Sequence, residues 1–127
     1  MSNTITEGIR VQVKATFWPE RSNVEGGQWA FSYAITISNE GSAPATLRTR
    51  HWLITDATGS VEEVRGPGVV GKQPRLEPGE RFEYQSWAML KTPFGSMRGS
   101  YQMEREDKTM FDARISEFAL TQPNALN

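Results

Sequence analysis

The sequence predicts an all-β fold, an antiparallel β-sandwich of about seven strands. Three observations carry that prediction. Apolar and polar side chains alternate with period 2 in one segment after another. Clusters of Gly, Pro, Asn and Asp separate those segments at short intervals, and no stretch keeps its apolar residues at helical spacing for three turns.

The first strand is GIRVQVKATFW, in which Ile9, Val11, Val13, Ala15 and Phe17 alternate with Arg10, Gln12, Lys14 and Thr16 until Pro19 ends it. PERSNVEGGQ, with Pro19, Asn23, Gly26 and Gly27, suits a hairpin loop longer than a tight turn. QWAFSYAITISN shows the clearest alternation. It sets Trp29, Phe31, Tyr33, Ile35 and Ile37 on a core face and Ala30, Ser32, Ala34, Thr36 and Ser38 on the other. In TLRTRHWLITDA, Leu47 and Leu53 share one parity while Trp52 and Ile54 share the other, so either both faces are covered or a bulge shifts the register.

DATG turns the chain into a short strand, SVEEVR, and a glycine-rich loop follows, ending in LEPGE. RFEYQSWAML then places Phe82, Tyr84, Ser86 and Ala88 on one face and Trp87 on the opposite, exposed one. An exposed tryptophan is a candidate interface residue. SMRGSYQMERE and TMFDARISEFALT supply the last two strands, with Glu104, Glu106 and Asp107 as a solvated strand end, and the tail TQPNALN is expected to fray or add an edge contact.

At 127 residues the chain has the length of one ordinary domain. With 14 basic and 15 acidic side chains it has no overall field to attract a polyanion, so nucleic acid is not an expected partner. Cysteine is absent, which removes disulfides, thiolate metal sites and cysteine nucleophiles. His51 is the only histidine, so a two-histidine metal site cannot form, and an edge or buried histidine hydrogen-bonded to backbone is the expectation for it. No stretch is apolar enough to span a membrane, and MSNTITEGIRV has no basic run leading into an apolar one. The expected location is the cytoplasm, with no membrane partner.

The chemically suggestive motif is VRGPGVVGKQP, where Gly66, Gly68 and Gly71 spell G-x-G-x-x-G and Lys72 follows. In a dinucleotide-binding domain that spacing opens a helix whose N-terminus meets a pyrophosphate. Here Pro74 and Pro78 forbid the helix, and Gln73 after Lys72 breaks the Walker pattern. What survives is an anion nest of backbone N–H groups, ringed by Arg65, Lys72 and Arg75, with Arg48, Arg50 and His51 joining if the third strand lies alongside.

RHWLITD, GPGVVGKQPRLEPGE, YQSW, TPFGSMRGSY and the closing FAL occur in the order and spacing of the bacterial ApaG family, which the chain resembles over nearly its whole length. The resemblance implies a single ApaG domain over residues 1–127 with a fibronectin type III or immunoglobulin-like sandwich. The same domain is similar to one attached to an F-box protein and to polymerase-delta-interacting protein 2, where it serves as an interaction module. The family carries a cobalt and magnesium efflux label but no established catalytic activity. Lys72 stands where an acidic residue is usual in the family, and Trp87 where glycine is usual.

Two functions follow as expectations. The first is a non-enzymatic module without cofactor or metal, which binds a protein partner through the glycine-rich loop and neighbouring strand ends. The second is a phosphate-containing small molecule, pyrophosphate or a nucleotide polyphosphate, held by Gly66, Gly68 and Gly71 with Arg50, Lys72 and Arg75. Hydrolysis of such a ligand ranks below both, since no activated nucleophile is legible.

Overall fold

One extra residue in the third long strand resolves its double parity. The computed structural model, which describes residues 1–123, contains nine strands: β1 (Ser2–Thr6), β2 (Ile9–Phe17), β3 (Trp29–Asn39), β4 (Ala45–Asp56), β5 (Val61–Pro67), β6 (Arg75–Leu76), β7 (Arg81–Leu90), β8 (Phe94–Arg105) and β9 (Met110–Thr121). The pairing of β4 with β8 slips between Leu47 and Thr49, so Arg48 is a bulge. Ala45 and Leu47 before it and Trp52 after it are therefore all buried against the same core. Of the two expected alternatives, the bulge is the one that forms. A second slip, between β8 and β9, likewise lets Ile115 and Phe118 both face inward.

The strands form two antiparallel sheets that stack as a sandwich. Sheet A has the order β1-β2-β3-β7, and sheet B has the order β5-β4-β8-β9 with β6 paired to β4. The expected strands are all present. Two further ones escaped the alternation argument: β1, too short and polar to signal itself, and β6, only two residues long. A 3₁₀ turn, Pro19–Arg21, lies in the long β2–β3 connection. Of the tail, Gln122 accepts a hydrogen bond from Trp29 Nε1 at 2.8 Å, and residues 124–127 lie outside the described residues.

Aromatic contact between the sheets centres on Trp52. Its ring lies 5.6 Å from Tyr33 and meets Tyr101 and Phe118 edge-on at 6.4 and 6.0 Å. The two sides of the sandwich differ. On one, β9 packs against β1 and β2, and Thr6 Oγ1 accepts the Arg114 N–H at 3.2 Å. On the other, β5 and β7 are the sheet edges, and a cleft of about 500 Å³ separates them.

Carboxylates brace two of the connecting turns. Asp56 Oδ1 accepts from the Thr58 hydroxyl at 2.6 Å, the Thr58 N–H at 2.9 Å and the Ser60 N–H at 3.1 Å in the β4–β5 turn. Asp107 Oδ1 accepts from the Thr109 hydroxyl and N–H in the β8–β9 turn. The threonine hydroxyl bonds, followed by those from backbone, hold both carboxyls below their ordinary pKa. A folded pKa depressed in this way adds stability above the unfolded value, and that stability is lost as pH falls through the folded one. Asp56→Ala is therefore expected to lower Tm at neutral pH. Its deficit relative to the parent should fade as pH is taken below the ordinary carboxyl value of 3.8. Equal deficits at both ends of the range would show that the turn does not depend on the ionised carboxylate.

Candidate functional site

The cleft takes its walls from the inner faces of the two edge regions. Sheet B contributes Arg50, Trp52 and Ile54 from β4 and Glu62 and Val64 from β5. Sheet A contributes Tyr33 and the Tyr84, Ser86 and Ala88 series of β7. Val70, Trp87 and Met89 stand on the rim and are all exposed, Trp87 to 54% as its parity predicts. The site is thus an apolar slot with a few polar groups and an aromatic lip, in the size range of ligand pockets.

Burial raises the pKa of Tyr33, Tyr84 and Tyr101, so these phenols keep their protons at neutral pH. The hydroxyls of Tyr84 and Tyr101 hydrogen-bond to each other. They offer polarity to a ligand but no ready nucleophile.

Arg50 is the fixed cation of the slot. Its Nη1 donates to the carbonyls of Pro67 and Gly68, each at 2.9 Å, which ties the glycine-rich loop to β4. Gly66 makes this tether possible, because a Cβ there would lie 2.7 Å from Arg50 Nη2. Gly68 has φ +59, and a Cβ on it would overlap the Lys72 carbonyl oxygen. The tip is a two-residue turn: Val69 N–H donates to Lys72 O at 2.8 Å, and Lys72 N–H to Val69 O at 2.9 Å. Val70 and Gly71 between them have φ of 43° and 78°, the left-handed values of a type I′ turn.

The loop's glycines therefore serve the loop's own geometry. Gly66 lies within β5, and the N–H groups of Gly68, Val69 and Lys72 are spent on Arg48, Lys72 and Val69 carbonyls. The N–H groups of Val70 and Gly71 have no partner among the described backbone hydrogen bonds.

The cations expected around the loop do not form one patch. Arg48 pairs with Glu104 at 2.8 Å, Arg65 with Glu63 at 3.5 Å, and Arg75 with Glu77 and Glu106. Glu104 and Glu106 are thus ion-pair partners, more than a solvated strand end. His51 has the opposite parity to Arg50, and its Nε2 meets Glu63 Oε2 at 2.7 Å, where a backbone partner was expected. That contact, followed by Arg65, keeps the Glu63 carboxyl below its ordinary pKa. Ser100 sits opposite His51 on β8, but its hydroxyl accepts from Gln102 Nε2 at 2.9 Å, and no Ser–His hydrogen bond forms. Among the described residues no three His, Cys, Asp or Glu side chains gather as a metal site, and no helix is long and apolar enough to cross a membrane. Trp87 stacks edge-on against Trp18, 6.5 Å away, and the Arg21 guanidinium lies 5.5 Å above the Trp18 ring.

Sequence reasoning singled out Arg50, Trp87 and the glycine-rich loop, without bringing Trp87 to the other two, and missed Tyr33, Tyr84, Glu62 and Val64 as parts of a site. Their inward parity was legible. That they line an open slot and not a closed core depends on how far apart β5 and β7 sit, which no local pattern encodes.

An antiparallel sandwich closed along one side and open along the other defines the structural class. A family model for the ApaG domain matches residues 19–105, and the chain belongs to the ApaG family. It is 58% identical over 127 residues to Protein ApaG of Anaeromyxobacter dehalogenans, covering 100% of both chains. A crystal structure of an ApaA protein from Bordetella pertussis superposes with a TM-score of 0.88 at 46% identity, covering 91% of this chain and 94% of that one. An X-ray structure of a structural-genomics target does so with a TM-score of 0.89 at 42% identity, covering 98% and 94%.

A β-branched residue in the left-handed region costs about 1–3 kcal/mol, and Val70 is such a residue while being 56% exposed. Val70→Asn, the residue type I′ turns favour, is expected to stabilise the fold by about 1 kcal/mol. Urea denaturation checks this; a loss of stability would show that the valine side chain supports the fold.

Proposed function

We propose that this chain is a non-enzymatic docking module whose open side receives an extended segment of a protein partner. The observation that supports this most directly is the pairing of an apolar slot with an unprotected sheet edge. β1 and β9 are packed against each other's sheet, and β5 carries Glu62, Glu63 and Arg65 and ends at Pro67. β7, in contrast, runs from Tyr84 to Leu90 without charge, proline, glycine or register slip. Sheet edges left in that state invite another strand. An added strand gains backbone hydrogen bonds from β7 and buries alternate side chains between the sheets.

The partner class is protein because the slot has apolar walls beside free backbone donors and acceptors, a combination that peptides complete. The absence of a Ser–His contact and the protonated tyrosines favour binding over hydrolysis. Any part in ion resistance then passes through the partner. A phosphate-containing ligand is the second reading, favoured by Lys72 and the N–H groups of Val70 and Gly71, and it uses the loop tip instead of the slot.

Selection of a random dodecapeptide library against the immobilised protein tests the docking reading. Bound peptides are expected to slow hydrogen exchange of β7 amides, and Ser86→Phe, which fills the slot, should weaken them at least tenfold. Peptides that protect β2 or β9 instead would overturn it. Pyrophosphate that shifts the Val70, Gly71 and Lys72 amides at submillimolar concentration, without touching β7, would favour the phosphate reading.

A further inference from the structure

Arg50 and Glu62 have no ion-pair partner among the described residues, as is also true of Arg21, Arg98 and Arg114, but Arg50 and Glu62 are the charged side chains that line the slot. Both face the slot, at opposite ends of it. The register sets their separation. On sheet B, Arg50 stands opposite Gly66, Trp52 opposite Val64, and Ile54 opposite Glu62. These are three successive inward levels, each about 7 Å from the next along an extended strand.

Sheet A matches them level for level. The Tyr84 hydroxyl bonds to that of Tyr101, which stands opposite Arg50 on β8. Ser86 pairs with Tyr33, whose ring contacts Trp52. At the third level Ala88 takes the inward position facing Ile54, and the rim residue Met89 borders a hollow with Ile54 and Glu62 that Asp56 flanks on the sheet B side and Lys91 on the sheet A side.

We infer that the slot reads charge order along a segment that pairs antiparallel to β7, as the strands of sheet A pair with one another: a basic side chain at Glu62, an apolar one two residues on over Trp52 and Val64, and an acidic one two residues further at Arg50. The inference rests on the docking reading above. A strand laid beside β7 turns every second side chain into the slot at the same 7 Å spacing that separates the three levels, roughly. Arg50 is held ready by its bonds to Pro67 and Gly68, which occupy Nη1 and leave Nε and Nη2 to meet a carboxylate in a preset plane. Apolar walls around it exclude part of the solvent that would screen the pair. A basic residue at that level meets like charge and is rejected, and an acidic one is rejected at Glu62.

Peptides of one length and differing only in charge test this. Acetyl-TKTLTDT-amide is titrated into ¹⁵N-labelled protein beside TDTLTDT, TKTLTKT and the neutral TQTLTQT, all capped alike. TKTLTDT is expected to bind tightest, TDTLTDT about fivefold more weakly as befits a partly exposed pair, and TKTLTKT about tenfold more weakly at the preset Arg50. Glu62→Lys, a substitution on an exposed edge residue, should reverse the order of TKTLTDT and TDTLTDT. If the neutral peptide binds as well as the others while shifting β7 amides, charge reading is overturned and docking stands. If Glu62→Lys leaves the order unchanged, the assignment of Glu62 is overturned. Failure of all four peptides to perturb β7 overturns the docking reading, and the charge order falls with it.

Discussion

The bulge at Arg48 is the constraint on which the rest depends. A strand cannot turn two residues of opposite parity to one face unless its register slips, and β4 must bury both Leu47 and Trp52. Once the slip is made, the even residues face inward. That puts Trp52 among Tyr33, Tyr101 and Phe118, where it joins the sheets, and Arg50 one level along, where the sheets have begun to separate. It also turns His51 away from the slot toward Glu63. A single inserted residue thereby decides which of the two neighbouring side chains, Arg50 or His51, belongs to the slot.

The asymmetry of the sandwich follows from its edges. Sheet edges expose unpaired backbone groups and must be covered, charged or bent. Here β1 and β9 cover one side together, while the other leaves β5 and β7 apart. Charged side chains and a terminal proline blunt β5. β7 is not blunted over its central residues, and beside it lies the strained Val70 turn, which carries an exposed apolar side chain at a backbone conformation that disfavours it. That local cost is retained at the rim of the slot.

The glycine-rich loop shows how one spelling can serve two kinds of physics. In a nucleotide-binding domain G-x-G-x-x-G brings backbone to phosphate. In this sandwich Gly66 admits a guanidinium, Gly68 admits a carbonyl, and Gly71 completes a two-residue turn. The loop is thereby stitched to β4 through Arg50 and through the Gly68 N–H bond to Arg48. These contacts account for the loop's geometry where it borders the slot.

Period-2 alternation and turn chemistry were enough to read the class of fold, seven of the strands, the core faces of β2, β3 and β7 and the exposure of Trp87, because each is a local property of consecutive residues. The prolines after Gly71 were likewise enough to deny the loop a helix. The sequence left two things open that depend on residues far apart in the chain. Whether β4 covered both faces or bulged was settled by its pairing with β8, some fifty residues on. Which cations were free was settled by acids brought in from β5, β8 and the turns, since an ion pair is a matter of distance in space and not of spacing in sequence. The slot itself, with Arg50 and Glu62 at its ends, exists only because two sheets that close along β1 and β9 diverge toward β5 and β7, a property of how the layers pack.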